Sequence, residues 1–299
     1  MRQDGDRVPA DPEEMATLLE RHEDFRVQRR MAPMQRRLHG AQPSGCLVGI
    51  AIDVETTGLD SRRHEIIELA VQRFRIDALG RIVETGRPRR WLEQPAEPIA
   101  AVVTRLTGLT DADVAGRAIA DGEASGMLMD ADFVVAHNST FDRPFLERRL
   151  PVAAGLAWAC SLSDIDWPTL GFEGRRLSEL VGRMGWFYDA HRAEADVTAL
   201  LHLLDHRLPD GITVASLMLA TARRPSWIVD AIDAPFSAKD CLKARGYRWD
   251  GSAKIWSAAV AKEAVAEEVA WAERAIYSGR RQPAVRMVTW RERYAQNRS

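Results

Sequence analysis

Lysine, cysteine and long apolar runs are all scarce in this sequence of 299 residues. The three cysteines, Cys46, Cys160 and Cys241, are far apart and odd in number, which fits neither a disulfide framework nor a zinc site. No apolar run approaches the roughly 20 residues that a membrane span needs. The first residues are not followed by the apolar stretch of a secretory signal. We therefore expect a cytoplasmic protein that has no contact with a membrane.

The few lysines are also unevenly placed, because all four lie at positions 239, 243, 254 and 262. Residues 46–208 contain 18 arginines and 25 acidic residues, a balance of −7, whereas residues 225–299 contain 13 basic and 9 acidic residues, a balance of +4. A basic end on an acidic chain favours a polyanionic partner. A solvated charged tail is the alternative that charge alone leaves open.

The length allows one sizeable core and a small second domain. A typical helix start at Asp11 and Pro12, followed by apolar residues at helical spacing, predicts a helix over 11–38 that packs on the main domain. Residues 40–45 are rich in glycine and polar residues and predict a linker. We expect an N-terminal helix and linker over 1–45, a main domain over 46–208, a linker helix over 209–224 and a small accessory domain over 225–299.

A nearly continuous apolar run from Leu47 predicts a strand that is buried on both faces. Asp53 and Glu55 lie two positions apart in this run, so the period of a strand turns both carboxylates to the same side. Two like charges at the end of a buried strand are costly unless a cation compensates them. The pattern therefore predicts a divalent metal here, and the polar turn at 56–58 would let a substrate come close.

Two later segments also direct acids toward the interior. After a meander of strands over 66–76 and 82–85, a short buried strand leads into a helix capped by Ser139 or Thr140, which carries Asp142 on its apolar stripe. A further helix, over 192–205, carries Asp196 beside its apolar stripe, and His191 stands just before it. Acids from three segments that converge inward are explained by a divalent-metal centre.

Each motif alone is weak, because an acid at a strand end or in a first helical turn more often serves a turn or the helix dipole. Together, Asp-x-Glu-Thr-Thr-Gly from Asp53, His-Asn-x-x-Phe-Asp from His137 and His-x-x-x-x-Asp from His191 resemble, in this order, the three motifs of the DnaQ-like (DEDDh) 3′–5′ exonucleases. The resemblance covers residues 46–208. It implies an α/β, ribonuclease-H-like fold with a mixed five-stranded sheet and flanking helices.

The resemblance also implies the chemistry. The metal-binding carboxylates of the family fall on Asp53, Glu55, Asp142 and Asp196, and its histidine base falls on His191, so the expected activity is hydrolysis of phosphodiester bonds from the 3′ end of DNA, in proofreading or repair. The sister group with tyrosine four residues before the last aspartate is disfavoured, since arginine stands there. All-oxygen ligands favour Mg²⁺ or Mn²⁺. Two such ions per active site can hold the attacking water and the leaving 3′ oxygen, with Asp53 as the bridge.

Contacts to the terminal nucleotide are expected from five residues around these motifs, namely Thr56, Leu59, Thr107, Asn138 and Phe141. At Thr107 many relatives carry histidine instead. Leu59 is expected to wedge against the terminal base, and simple packing is the alternative role for Leu59 and Phe141.

The accessory domain is expected to be a small α+β unit with strands over 227–231, 255–260 and 284–290 and helices over 237–245 and 262–277. The spacing from Phe236 to Trp256 is similar to small α/β modules of uncertain role that are found beside nucleic-acid enzymes. Its tryptophans form a core or a base-stacking platform; they are Trp227, Trp249, Trp256 and Trp271. Contacts to nucleic acid are predicted from Lys239, Lys243, Arg245 and Arg248.

Nucleic acid is thus the predicted partner, DNA before RNA, together with a DNA polymerase or a repair complex. The active site is expected to lie wholly within residues 46–208. An exoribonuclease of the same fold is one alternative. A non-catalytic nucleic-acid-binding or polymerase-tethering module is another, and the intact acidic residues argue against it.

Overall fold

The structure is a computed structural model that describes residues 11–36, 45–251 and 253–295, so the predicted linker over 40–45 lies outside it except for Gly45. The N-terminal part contains α1 (Pro12–Glu20) and β1 (Arg29–Arg30). The central region contains β2 (Leu47–Thr56), β3 (Ile66–Ile76), β4 (Ile82–Thr85), β5 (Arg89–Leu92), α2 (Ala101–Thr107), α3 (Asp111–Val114), α4 (Asp121–Met129), β6 (Phe133–Ala136), α5 (Ser139–Arg149), β7 (Trp158–Cys160), α6 (Leu177–Arg183), β8 (Trp186–Phe187), α7 (Ala193–Asp205) and α8 (Val214–Ala222). The C-terminal region contains β9 (Ser226–Ala231), α9 (Lys239–Ala244), β10 (Arg248–Asp250), β11 (Ile255–Val260), α10 (Val265–Ala275) and β12 (Ala284–Val288).

The central region is built on a mixed sheet with the strand order β4–β3–β2–β6–β7. β2, β3 and β4 pair antiparallel, which confirms the predicted meander, and β6 pairs parallel with both β2 and β7. β5 pairs with the half of β3 that β4 leaves free, and it adds a sixth strand that sequence reasoning missed. The predicted mixed sheet with flanking helices is confirmed.

β2 lies at the centre of this sheet, between β3 and β6, and both of its faces are covered. Ala51 packs into a core that includes residues of α7 and α8, whereas Ile50 and Ile52 pack on the other face with residues of α4 and α5. Gly49 lies against the rings of Phe74 and Phe133, and a Cβ there would come within 2.3 Å of the Phe74 ring. Burial on both faces is what the continuous apolar run predicts.

The predicted helix over 11–38 is wrong beyond Glu20, where α1 ends. Pro33 lies inside the predicted span, and a proline in a helix interior removes a hydrogen bond and clashes with the preceding turn. The chain runs extended instead, and β1 pairs parallel with β8. The expected packing on the main domain also comes from a different segment, because α1 has no buried residue, whereas Met31 and Met34 are buried in the central core.

The C-terminal region forms an antiparallel sheet with the strand order β10–β11–β9–β12. The strand predicted over 255–260 is confirmed, and both predicted helices are present, each preceded by a short 3-10 turn. β10 was missed. The last strand ends at Val288 rather than at 290, because the chain turns there through hydrogen bonds between Thr289 and Glu292.

The core of this region lies between its sheet and its helices, around Val229, Leu242 and Ala272. Trp256 and Trp271 pack partly buried against that core, as the core interpretation of the tryptophans predicts. Trp249, in contrast, is 51% exposed. Within the residues that the structure describes, no helix is both long and apolar enough to cross a bilayer.

Candidate active site

The end of β2 gathers acids from two elements. Asp53 and Glu55 emerge on the same side of the strand, as its period of two requires. Asp196 reaches them from the first turn of α7, so that one carboxylate oxygen of each of these three residues lies within 4.8 Å of the others. Three of the predicted site residues are therefore brought together.

Asp142 approaches the same place from α5. It is buried, and its Oδ1 accepts a hydrogen bond of 3.2 Å from the N–H of Val54, the residue between the two acids of β2. It lies beside the cluster but outside the 4.8 Å group. The prediction that Ser139 or Thr140 caps α5 is wrong, because Asn138 is the cap residue, with a φ of 102°, and the Ser139 hydroxyl donates to the Ala159 carbonyl instead.

Asp196 is held by three donors at the start of α7. Its Oδ2 accepts the N–H groups of His191 at 2.9 Å and Arg192 at 3.2 Å. Its Oδ1 accepts the hydroxyl of Tyr188 at 2.7 Å. Tyr188 was missed by sequence reasoning, because it precedes α7 and lies outside the motif that carries Asp196. These donors orient the carboxylate toward β2.

His191 lies at the edge of the cluster and is exposed. Its φ of 65° is in the left-handed region, which non-glycine residues seldom adopt. Its N–H donates to Asp196, and the residue is open to solvent, where a general base could meet water.

Glu68 is a further buried acid that the motifs did not single out. It stands directly opposite Glu55 in the β2–β3 register, and its Oε2 accepts the N–H of Ala193 in the first turn of α7 at 3.3 Å. Arg90 forms a short ion pair with it, and Arg192 lies 3.9 Å away. The sequence feature that could have identified Glu68 is its position as an acid inside the apolar run of β3. Glu68 therefore joins β3 to the helix that carries Asp196.

Burial among like charges raises the pKa of every acid in the cluster. The pKa of Asp53 lies well above its ordinary value because of burial and because Asp142 and Asp196 lie near it. Burial, with the charges of Asp196 and Glu68, raises the pKa of Glu55 to about 8. Burial also raises the pKa of Asp142 and of Asp196 against the effect of their hydrogen-bond donors. Burial among like charges thus favours the protonated form of each acid, and a cation at this place would favour the charged form instead.

The donor set fits a hard divalent cation. Asp53, Glu55, Asp142 and Asp196 offer only carboxylate oxygens, which Mg²⁺ and Mn²⁺ prefer. The charge of Arg192 lowers the pKa of Glu55, but this guanidinium also lies beside Glu68 and does not overcome the repulsion between the acids. A divalent cation would offset that repulsion.

The predicted substrate residues differ in how free they are to meet a ligand. Leu59 is 86% exposed, and Asn138 is exposed at the start of α5. Phe141 is half-buried, with its ring 5.1 Å from that of Phe145. Thr56 and Thr107 are buried, and their hydroxyls donate to backbone carbonyls of Gly58 and Val103. Leu59 and Asn138 are therefore the most accessible of the five.

A mixed sheet with flanking helices, whose central strand ends in paired acids joined by acids from two helices, is the arrangement of the ribonuclease-H-like fold. Residues 50–204 match the model of the Exonuclease family (RNase_T), and the chain belongs to this family. The match runs from β2 into the last turn of α7 and includes all four acids. It confirms the resemblance to the DnaQ-like exonucleases.

Two relatives show how this match extends. The chain is 32% identical over 169 residues to the 3′–5′ exonuclease DinG of Bacillus subtilis. The aligned region covers 52% of this chain and 17% of that protein. The chain is also 32% identical over 175 residues to the PolC-type DNA polymerase III of Halalkalibacterium halodurans. This aligned region covers 54% of this chain and 11% of that protein. The chain thus spans less than a fifth of the length of either relative.

Solved exonuclease structures are also similar. Exonuclease X in complex with 5′ overhanging duplex DNA gives a TM-score of 0.43 at 23% identity, over 58% of this chain and 99% of that one. Exonuclease I of E. coli in complex with a dA16 oligonucleotide gives a TM-score of 0.49 at 14% identity, over 82% of this chain and 64% of that one. The family assignment rests on the sequence match.

We expect the metal-free protein to lose stability as the pH rises between about 4.5 and about 8. The pKa of Glu55 is raised from 4.5 to about 8, so over this window the folded protein binds a proton that the unfolded chain releases. The stabilisation from this proton is complete below pH 4.5 and disappears as the pH rises through about 8. Thermal melts of metal-free wild type and Glu55→Gln measure it, and the advantage of the variant should grow toward pH 8.

The comparison of wild type with Glu55→Gln cancels the titration of groups that lie away from Glu55, and it reports Glu55 together with the acids on which its charge acts, Asp53 and Asp142. Saturating Mn²⁺ should raise the melting temperature of the wild type most at high pH, where the acids are otherwise unprotonated and repel one another. A difference in melting temperature that stays constant from pH 5 to pH 9 would contradict the raised pKa of Glu55.

Proposed function

We propose that this chain is a metal-dependent 3′–5′ exonuclease that removes nucleotides from the 3′ end of DNA, as in proofreading or repair. The observation that carries the proposal is the meeting of Asp53, Glu55 and Asp196 within 4.8 Å at the end of a buried strand, with Asp142 beside them. Gathering like charges in this way costs stability. Membership of the exonuclease family supports nuclease chemistry as the reason for that cost.

The four acids would hold two Mg²⁺ or Mn²⁺ ions. Asp53 would be the ligand shared by the other acids in holding the ions, because the charges of Glu55, Asp142 and Asp196 all act on it. Two divalent cations supply Lewis-acid stabilisation to the attacking and leaving oxygens of a phosphodiester. Glu68, paired with Arg90, is not available as a ligand and would serve to position α7.

His191 is the proposed general base. It would take a proton from the attacking water while a bond forms between the water oxygen and phosphorus and the bond from phosphorus to the 3′ oxygen breaks. The 3′ oxygen takes up a proton from solvent, which leaves a nucleoside 5′-monophosphate and a shortened strand with a 3′ hydroxyl. Its exposed position next to Asp196 supports this role.

The names of the relatives favour DNA over RNA as the substrate, since one of those described is a DNA polymerase III. Leu59, Asn138 and Phe141 are the proposed contacts to the terminal nucleotide, while contacts from the buried Thr56 and Thr107 stay predictions. Association with a separate DNA polymerase or a repair complex stays a prediction.

A time course of the purified protein on 5′-labelled DNA and RNA oligonucleotides tests the proposal. With Mg²⁺ or Mn²⁺ the labelled DNA should shorten stepwise from its 3′ end, and EDTA should stop the reaction. Faster shortening of RNA would favour the exoribonuclease alternative. Binding without any shortening would favour the non-catalytic module.

Alanine at any one of Asp53, Glu55, Asp142 or Asp196 should abolish hydrolysis, while the melting temperature of the metal-free protein stays the same or rises. Each change removes a ligand and also a repulsive charge. Melts with and without Mn²⁺ check both effects, because the ion should stabilise the wild type more than the variants. Glu97→Ala, at an exposed acid of the same region, is the matched control. Activity retained in two of the four variants would sink the site assignment.

His191→Ala should lower the rate on the order of 10²–10⁴-fold, which is the usual contribution of general-base catalysis. Mn²⁺ binding, measured by calorimetry, should survive, because the imidazole is not one of the proposed ligands. A variant that no longer binds Mn²⁺ would make His191 a ligand and would require a different mechanism.

We further propose that the C-terminal region contacts nucleic acid through an aromatic and basic surface. Phe236 is 86% exposed, and the Nζ of Lys239 lies 5.6 Å from the centroid of its ring. Lys243 and Arg248 are exposed, as is Trp249. Exposed rings beside cations suit the bases and phosphates of a single strand. Arg248 and Trp249 point to opposite sides of the edge strand β10, and we propose that all five residues border one nucleic-acid site, which is called the aromatic–basic surface.

Arg245 is a less suitable contact than the sequence indicated. Its guanidinium forms ion pairs with Glu267 and Glu268 and lies 5.0 Å from the ring centroid of Trp271. These partners already use its charge to join α9 to α10, so we leave it out of the proposed surface.

Lys243→Glu and Arg248→Glu should each weaken binding to long DNA and lower the slope of log affinity against log salt by roughly 0.7–0.9 per lost phosphate contact. The rate of hydrolysis of a dinucleotide should not change, because a substrate that short would contact the acids of the active site and not the C-terminal region. Lys262→Glu, at an exposed lysine outside the proposed surface, is the matched control. An unchanged slope in both variants would remove this region from the nucleic-acid interface and favour a protein-interaction role.

A further inference from the structure

The last described segment, residues 289–295, leaves the C-terminal sheet and returns to the central region. The indole of Trp290 stacks on Phe133 with ring centroids 6.1 Å apart and planes 19° apart. The carbonyl of Trp290 accepts the N–H of Trp158 at 2.8 Å, at the edge strand β7 of the large sheet. The segment therefore packs on the nuclease core and hydrogen-bonds to its outermost strand.

A buried arginine of α5 depends on this segment. Arg143 is only 2% exposed, and its two terminal nitrogens donate to the carbonyls of Arg293 at 2.6 Å and Arg291 at 2.7 Å. Its Nε donates to Glu147 at 2.7 Å. A buried guanidinium is costly unless its donors are satisfied, so removal of the segment would leave two of these hydrogen bonds unmade. Arg143 directly follows Asp142.

A second anchor joins the segment to the turn after β7. Oδ1 of Asp164 accepts the hydroxyl of Tyr294 at 2.8 Å and a guanidinium nitrogen of Arg293 at 3.1 Å. Oδ2 of Asp164 accepts the N–H of Cys160 at 2.7 Å. Asp164 is buried, so this network is shielded from solvent. The segment is thus held at both β7 and α5.

We propose that residues 289–295 are a structural part of the nuclease domain and that Arg143 is a positioning residue for Asp142. Through Arg143, the segment holds the first turns of α5 against the core so that the Asp142 carboxylate lies beside Val54. This assignment rests on the proposed nuclease function of the acids. It places the C-terminal sheet, residues 226–288, between two stretches of the nuclease domain, and it revises the expectation that residues 46–208 contain everything the active site needs.

The test uses full-length chains, with Arg143→Met to remove the donors and Trp290→Ala to weaken the seating of the segment. At a temperature where each variant is folded, Mn²⁺ affinity measured by calorimetry should fall about 10–100-fold, the usual cost of losing an outer-shell support of a metal site. Turnover on a short DNA should fall with it, while KM changes little. Arg143→Lys should recover part of the Mn²⁺ affinity, because lysine restores a donor. Arg105→Met, at an exposed helical arginine, is the matched control.

The double variant Arg143→Met/Trp290→Ala distinguishes positioning from general stabilisation. If the two residues act through one contact, the combined loss of Mn²⁺ affinity should be much smaller than the product of the separate losses. Lower melting temperatures with unchanged Mn²⁺ affinity and turnover would overturn the proposal. If Arg143→Met does not fold, Trp290→Ala and Arg143→Lys decide the question by the same measurements. A wild type that binds Mn²⁺ but cleaves nothing would reject the proposed function, whereas the Mn²⁺ affinities of the variants would still test the role of the segment.

Discussion

Repulsion between the acids at the end of β2 is the constraint on which the surrounding structure depends. Asp53 and Glu55 share one side of a strand, and Asp142 and Asp196 are brought to them from α5 and α7. The donors that hold these acids are neutral: the N–H of Val54 holds Asp142, and backbone N–H groups with a hydroxyl hold Asp196. Such hydrogen bonds orient a carboxylate without cancelling its charge. The fold thus keeps the acids together and leaves their charge for a ligand.

Glu68 shows the contrasting arrangement a few ångströms away. It is as deeply buried as any acid that the structure describes, yet Arg90 pairs with it and Arg192 lies close. Removing one partner of such a pair is strongly destabilising, because it leaves an uncompensated buried charge. Glu68, which has arginine partners, stabilises the contact between β3 and α7. Over the described stretches of the chain, the clustered acids form no such ion pairs with arginine, which indicates a site for an external cation. The difference between the two environments supports the proposed centre independently of any relative.

The parts of the fold that sequence reasoning predicted are those with a clear apolar period. β2 and β3 were found because a continuous apolar run and a following alternation leave little choice of structure, and Asp142 and Asp196 were found because helical spacing placed them beside buried residues. The helix over 11–38 could not run through Pro33, whose ring clashes with the preceding turn, and the extended segment with β1 follows the end of α1 at Glu20. β5 was not predicted, because Arg89 and Arg90 are consecutive charged residues and break the alternation of apolar and polar residues that is typical of a strand. The contacts of Arg143 join residues about 150 positions apart, and no local pattern contains that information.

Arg293 also limits how freely the C-terminal sheet can reorient relative to the central region. Its guanidinium donates to the carbonyl of Arg224 and the hydroxyl of Ser226, so the chain enters and leaves that sheet at one point. A unit on a single flexible linker samples many orientations, and the local concentration of anything it carries is an average over them. A unit held by two crossings at one point has fewer orientations open to it. A nucleic-acid strand bound to the proposed aromatic–basic surface would therefore reach the acids from a narrower range of directions than a strand on a freely tethered unit.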